Sequence, residues 1–388
     1  MMLGLTLFEG QIPLLCWGFM IQEGGYLLNS CLARCRSCGL PGMLAENVDW
    51  PSNGTMLLKR FKGMRMAMLD AAAMDRLYEG ITAEEGPETF YRMEKGATRF
   101  MAGRYLSGLK GKVSRYGVIK KRVLEGMEEL SLLLGMGRIE MERFTPAQGG
   151  SMLLRKPINI QLLTAGITGV LEEMDRCLYR PGHESQGENT FRLRLDAAEG
   201  GDYDRDFFKG RPLGSPAIAN GGKLGRCNTC GLPSALRGFR WDEIYGVVEA
   251  GAAHRRLALL PLYTLAVMGV MAYGRKGYGT RGLIEEAVYS STLERLEGGE
   301  SDAYDGENPG TLKGGIPAEG TWDALQVRGW GVASGFQAEG KGWRVTVTNP
   351  VDVNLLAGWL EALYTFARER EPRLSVAEES SRVNYLLE

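Results

Sequence analysis

Histidine is almost missing from this chain of 388 residues: His183 and His254 are the two that occur. That scarcity excludes a site built mainly from imidazole ligands or imidazole acid–base pairs. Cysteine is sparse as well, seven in all, too few for a disulfide scaffold at this length. No charge of either sign dominates. Lys and Arg number 46 against 47 Asp and Glu, a formal net charge of −1, so the electrostatic footprint of a nucleic-acid or anionic-membrane binder is absent. Long apolar runs are also missing. The longest candidate, 257–272, follows Arg255 and Arg256 and contains Pro261, and it falls short of the ~18 apolar residues a spanning helix needs. No Lys or Arg precedes Arg34, so the apolar N-terminal stretch lacks the basic region of a secretory signal. Together these absences lead to the expectation of a soluble, cytoplasmic protein with no membrane span and no nucleic-acid partner.

Glycine, by contrast, is abundant at 54 residues, which implies many tight turns and close backbone approaches. The 44% hydrophobic and 24% charged balance is that of a folded globular chain, and the length suffices for two domains with a core each. The strongest chemical signal is a motif that occurs twice. Cys35-Arg-Ser-Cys38-Gly-Leu-Pro41 in the first half returns as Cys227-Asn-Thr-Cys230-Gly-Leu-Pro233 in the second. One Cys-x-x-Cys is ambiguous; two equivalent ones supply four thiols that can close a single tetrahedral metal site.

The motif belongs to a longer repetition. Trp50 and Trp241 follow the two copies, and each precedes an arginine, Arg65 or Arg256, by the same number of positions. Tyr116-Gly117 and Tyr278-Gly279 open helical runs; Gly135-Met-Gly137 and Gly329-Trp-Gly331 then lead into alternating residues. Those runs end at Pro157-Ile-Asn-Ile-Gln-Leu-Leu163 and Pro350-Val-Asp-Val-Asn-Leu-Leu356. The chain therefore divides into a first lobe at 24–198, a linker at 199–225 and a second lobe at 226–388. The spacing between copies contracts at the Tyr-Gly pair, which implies an extra segment near 82–110 in the first lobe and a compensating exposed loop near 299–325 in the second.

Local periodicity is mixed within each lobe. Residues 55–69 and 247–260 read as a hairpin feeding a helix. Residues 118–130 carry apolar side chains at helical spacing, whereas 138–144 and 343–348 alternate as half-buried strands. Glycine-containing turns at 148–150 and 340–342 join strand pairs. The expected fold class is α+β: two tandem copies of an antiparallel sheet covered by helices, arranged as a pseudo-dimer.

This succession of Gly-x-Gly, strand, glycine turn, strand, Lys-Pro or Asn-Pro, apolar helix and closing strand resembles the 4-vinyl reductase-like domain. Gly135, Gly137, Gly149 and Phe191 carry the resemblance in the first lobe, and Gly329, Gly331, Gly342, Asn349 and Pro350 in the second. It implies a fold similar to trafficking-particle subunits, a tendency to dimerise or take a protein partner, and binding of a hydrophobic or aromatic small molecule in a sensing, carrier or scaffold role. It also implies two competing functions, an enzyme or accessory factor acting on tetrapyrroles or aromatic compounds, and a ligand-free assembly module. Some members of that family hold zinc through cysteines in the closing segment. This chain has Thr190 there in the first lobe, and no cysteine in 379–385 of the second.

The metal expectation therefore rests on Cys35, Cys38, Cys227 and Cys230. A structural zinc with four thiolates is the favoured occupant; an iron–sulfur cluster or redox dithiol pairs, and reduced cysteines with no metal, are the alternatives. Cys31 with Cys35 and Cys38 has the spacing of radical S-adenosylmethionine enzymes, but the second copy keeps only the last two cysteines and no βα succession follows. Gly277-Tyr-Gly279-Thr-Arg-Gly282 matches a dinucleotide fingerprint without a strand before it. Trp50, Arg65, Trp241 and Arg256 are the candidate ligand-binding residues, an apolar wall with a guanidinium able to take a carboxylate; core packing is the plainer reading. Met64, Met66, Met68 and Met74 read as core filling or an adaptable apolar lining, and His254 as a turn residue. No nucleophile–base pair or carboxylate dyad emerges from spacing, so catalysis is not expected.

Overall fold

The computed structural model describes residues 34–61, 64–105, 117–199, 224–250, 254–273, 282–298, 317, 319–340, 342–379 and 381–388. Cys31, Tyr116, Gly277, Tyr278 and Gly279, the start of the expected first lobe and nearly all of the expected linker lie outside them.

A short helix α1 (Gly42–Asn47) leads into strands β1 (Val48–Asp49), β2 (Met56–Leu58) and β3 (Met64–Asp70). Helices α2 (Ala71–Glu85), α3 (Pro87–Tyr105) and α4 (Gly117–Leu133) follow. Then come β4 (Arg138–Thr145), β5 (Gly149–Arg155), α5 (Ile160–Asp175), β6 (Leu178–Gly187) and β7 (Thr190–Ala198). The second half starts with a 3-10 turn at Ser234–Gly238 and strands β8 (Phe239–Asp242), β9 (Val247–Ala250) and β10 (Arg255–Pro261). Helices α6 (Leu262–Tyr273), α7 (Leu283–Glu297) and α8 (Glu319–Val327) come next, then β11 (Val332–Glu339), β12 (Gly342–Thr348), α9 (Val353–Arg368), β13 (Leu374–Glu379) and β14 (Arg382–Leu387). The order of element types from β3 onward is the same in both halves. Three sheets result, ordered β1-β2-β3-β10-β9-β8, β4-β5-β7-β6 and β11-β12-β14-β13. Their pairings are antiparallel. The fold class is α+β, as the mixed periodicities require.

The six-stranded sheet joins the halves through β3 and β10, and alternation along these strands sorts their side chains. Ala67, Leu69, Ala258 and Leu260 join the core beneath helices α2 and α6. Met66, Met68, Leu257 and Leu259 face the opposite core, with Leu40, Trp50, Leu232 and Trp241. Met66, Met68 and Met74 are fully buried, which is the core-filling role. Helix α6 carries no charged residue and packs between the sheet and helices α2, α3 and α7, and none of its described side chains is exposed.

In each half a helix lies on the four-stranded sheet and takes a second helix against it: α3 on α5, and α7 on α9. Glycine permits the close approach, since a methyl group at Gly169 would meet the Lys95 carbonyl and one at Gly358 the Glu285 carbonyl. The Pro-x-Asn and Pro-x-Asp sequences have a local cause. The Asn159 side chain accepts from the Leu162 amide at 3.0 Å, and that of Asp352 from Asn354 and Leu355, each at 2.9 Å. Both residues are N-caps of a buried helix, a position worth about 1 kcal/mol.

The halves differ in their interiors. The second packs Trp343 on Tyr364 with ring centroids 5.1 Å apart and Trp330 on Trp359 at 6.2 Å. The first buries an ion-pair cluster at the matching helix, with Glu172 held by Lys95 at 3.1 Å and Arg99 at 3.3 Å.

One landmark of the repeat is corrected. The helix after Tyr116 is the third after β3, and that after Tyr278 is the second after β10. Packing agrees, because α7 occupies the place on α9 that α3 occupies on α5. The Tyr-Gly pairs are therefore not counterparts, and the described part of the segment expected as extra at 82–110 is the end of α2 and all of α3, helices matched in order by α6 and α7; residues 106–110 lie outside the described ones. The loop expected near 299–325 also ends earlier, since Glu319–Val327 is helical. Short Tyr-Gly matches misled because a helix start needs no more than a permissive residue and a neighbour.

Candidate metal centre

Each Cys-x-x-Cys segment is a tight turn closed by its own backbone. The Cys35 amide donates to Leu40 O and the Gly39 amide to Cys35 O, both at 2.8 Å. In the second copy Cys227 donates to Leu232 O at 2.9 Å and Gly231 to Cys227 O at 2.8 Å. The conformation explains the conserved Gly-Leu-Pro extension of the two copies. Gly39 and Gly231 sit at φ 74° and 75°, where a side chain is strained. Leu40 and Leu232 are 2% and 3% exposed, so each turn is anchored in the core by a burial worth about 1.5–3 kcal/mol. Pro41 and Pro233 then start the following helical turn with φ −56° and −53°, the angle their rings impose.

The two turns meet. Cys35 Sγ lies 3.8 Å from Cys227 Sγ, and Cys38 Sγ 3.5 Å from Cys230 Sγ. All four sulfurs fall within 4.8 Å of one another. The Ser37 and Thr229 hydroxyls are 2.5 Å apart, so the residues between the cysteines also meet like with like. For metal–sulfur bonds of ~2.3 Å a tetrahedron has sulfur–sulfur edges of roughly 3.8 Å, close to the 3.8 and 3.5 Å of the two pairs that face each other across the halves. The four cysteines could thus hold a metal ion, the part of the sequence expectation that the geometry bears out.

Electrostatics within the centre is uneven. Amides of Ser37 and Cys38 hydrogen-bond the Cys35 sulfur and hold its thiol below the usual range. Amides of Cys230 and Thr229 do the same for Cys227, lowering it to about 6. Burial pushes Cys38 up to about 12 and raises Cys230. Four thiolates so close repel one another, and a bound dication is what would let all of them ionise.

Two arginines lock the turns in place, and sequence reasoning missed both. Arg34 donates to Gly39 O at 3.0 Å within its own turn and to Trp241 O at 2.9 Å in the other half, and pairs with Glu243 at 2.8 Å. Arg226 repeats this, donating to Gly231 O at 2.8 Å and to Trp50 O. The signal was available: an arginine stands immediately before both motifs.

The four candidate ligand-binding residues are reciprocal clasps. Trp50 Nε1 donates to Val327 O at 2.9 Å, and Trp241 Nε1 to Leu133 O at 3.2 Å. Arg65 donates to Asn349 O at 2.6 Å and Gly329 O at 3.4 Å. Arg256 donates to Pro157 O at 3.0 Å and to Lys156 O. Every one of these bonds crosses from one half to the other. An apolar cavity does lie in the core, lined by Leu69, Leu77, Met268, Ile284 and Leu355, but at about 10 Å³ it holds no more than a single water.

The histidines lie elsewhere. His183 Nε2 is 2.8 Å from Thr164 Oγ1, and His254 sits in a turn at φ 53° beside Glu249. Cys177 stands apart from the centre, at the end of α5. No helix among the described residues is long and apolar enough to cross a membrane. Comparison with protein-family models, with curated proteins and with solved structures returns no match to this chain.

Proposed function

We propose that this protein is an internally duplicated scaffold whose two copies are related by a pseudo-twofold axis and clasped by one structural zinc ion on Cys35, Cys38, Cys227 and Cys230. The observation that carries it is the convergence of four sulfurs, two from each half, within 4.8 Å. A self-complementary interface of this kind has residue i of one copy touching residue j of the other, and the reverse. Arg34 with Trp241 and Arg226 with Trp50 satisfy that rule, and the cysteines meet their own counterparts. Zinc suits four soft thiolates in a closed tetrahedron, and with no open position its role is structural. A cluster of several iron atoms would spread the thiolates over more than one metal.

The test is a metal census on the full chain purified without chelators. One zinc per chain is the expected result. Far less than one, or iron with a visible chromophore, overturns the assignment.

The resemblance to 4-vinyl reductase-like domains extends this reading to a cargo, a hydrophobic or aromatic small molecule. Trp50, Arg65, Trp241 and Arg256 serve the clasp in this reading, because their polar atoms engage carbonyls of the opposite half. Native mass spectrometry of the same sample decides the cargo: a retained apolar mass supports it, and a bare, zinc-loaded chain leaves an assembly module.

A further inference from the structure

We propose that the four-cysteine centre is also a peroxide-sensitive thiol switch, in which oxidation joins Cys35 to Cys227 and Cys38 to Cys230 and releases the metal. The proposal rests on the metal reading above and adds a regulation to that site.

Geometry favours pairing across the halves. The counterpart sulfurs are already 3.8 Å and 3.5 Å apart and need to close to ~2.05 Å. Rotation of the cysteine side chains with a small approach of the intact turns achieves this, the Ser37 and Thr229 hydroxyls, now 2.5 Å apart, turning aside and the hydrogen bonds inside each turn being kept. A disulfide within one turn would instead have to reshape a loop closed by its own backbone hydrogen bonds and held at its ends by the Arg34–Pro41 or Arg226–Pro233 bridge. The centre is also reachable. Cys35, Cys38 and Cys230 are half-buried, and Arg36, Ser37, Asn228 and Thr229 between the cysteines are exposed. Accessible thiolates poised beside a resolving cysteine are the ones that peroxides oxidise.

The chemistry balances with a peroxide as oxidant. A thiolate attacks one peroxide oxygen, the O–O bond breaks, and a sulfenic acid forms as hydroxide leaves and takes up a proton. The counterpart thiol then attacks the sulfenyl sulfur; an S–S bond forms, the S–O bond breaks and water leaves. Two peroxides convert four thiols to two disulfides. The zinc ion departs without change of oxidation state, because disulfide sulfurs are poor ligands.

The experiment uses the full chain, with its zinc content measured first. Hydrogen peroxide is added, zinc release is followed with a chromogenic chelator, and disulfides are mapped by mass spectrometry of non-reduced peptides. The expected result is loss of bound zinc together with Cys35–Cys227 and Cys38–Cys230 cross-linked peptides, Cys177 staying reduced, and recovery on treatment with dithiothreitol and zinc. Disulfides confined to single turns, Cys35–Cys38 and Cys227–Cys230, overturn the proposal. So does a centre that keeps its zinc and its thiols under excess peroxide. A sample without metal at the outset overturns the metal reading instead, and its disulfide map still decides the pairing.

Discussion

Met68 and Leu259 stand directly opposite one another in the ladder between β3 and β10, and they occupy equivalent positions in the two halves, separated as Trp50 is from Trp241. Their amides behave reciprocally. Met68 donates to Arg328 O and Leu259 to Leu134 O, both at 2.9 Å. The strand that closes the central sheet thus pairs each half with the other at the point where a residue meets its own counterpart.

A first prediction concerns the thiols. Cys38→Ser and Cys230→Ser should each abolish stoichiometric zinc binding and destabilise the chain equally, since the two positions are interchangeable in the centre. On the proposed zinc assignment, chelation of the native protein should lower stability by about 4 kcal/mol, the linkage expected when free ion exceeds its Kd about a thousandfold. Denaturant titration with and without chelator measures this; identical midpoints would sink the structural role.

Glycine substitutions should separate conformational strain from collision. At Gly39, φ is 74° and a methyl group would meet nothing, so Gly39→Ala should cost about 1–2 kcal/mol from the left-handed backbone alone. At Gly54, also at φ 74°, the methyl group would strike the Gly331 carbonyl of the other half. Gly54→Ala should therefore cost more than Gly39→Ala, by about 1 kcal/mol or more. Equal midpoints in urea would contradict the close approach.

Glu94 should impose a pH dependence. It is 2% exposed between α3 and α6, with Oε1 accepting from Thr264 at 2.9 Å and Thr98 at 3.4 Å. Burial raises its pKa from 4.5 to about 7. Below pH 4.5 it is protonated folded or unfolded and contributes no penalty. Between 4.5 and 7 the folded state alone holds the proton, so stability falls as pH rises, by about 3 kcal/mol in all. Glu94→Gln should remove that slope, and stability curves of both proteins from pH 4.5 to 8 test it.

Asp70 works in the opposite sense. Burial would raise its pKa, but Arg328 and Arg255 at 3.1 Å and Arg295 at 3.5 Å hold it down at about 2. Its stabilisation is present above the unfolded value near 3.8 and is lost as pH falls toward 2. Asp70→Asn should destabilise by about 3–5 kcal/mol, because guanidiniums gathered on one carboxylate would lose it. Thermal unfolding unchanged within error would refute that assignment.

Much of this was legible in the chain. Local patterns placed hairpins at 55–69 and 247–260 and a helix at 118–130, and the structure has them at 56–70, 247–261 and 117–133, because strand and helix periodicity are set by neighbouring residues. The paired Cys-x-x-Cys announced a four-thiol site. Arg34 and Arg226 were overlooked because a charged residue beside a turn usually points to water, and only the neighbouring Trp241 and Trp50 carbonyls give these two a partner. The Tyr-Gly landmark misled because short local matches do not say which helix packs on which.

By itself the sequence determined the α+β elements, the recurrence of the Cys-x-x-Cys-Gly-Leu-Pro motif and the identity of the four thiols, since periodicity and motif are properties of neighbouring residues. Tertiary structure decided that β3 pairs with β10, that the sulfurs converge within 4.8 Å, and that Trp50, Arg65, Trp241 and Arg256 bind carbonyls of the opposite half. Those contacts join positions far apart in the chain. They form because both faces of one shared sheet can be buried, and the arginine and tryptophan donors at its rim can reach carbonyls, only when the two halves close on each other.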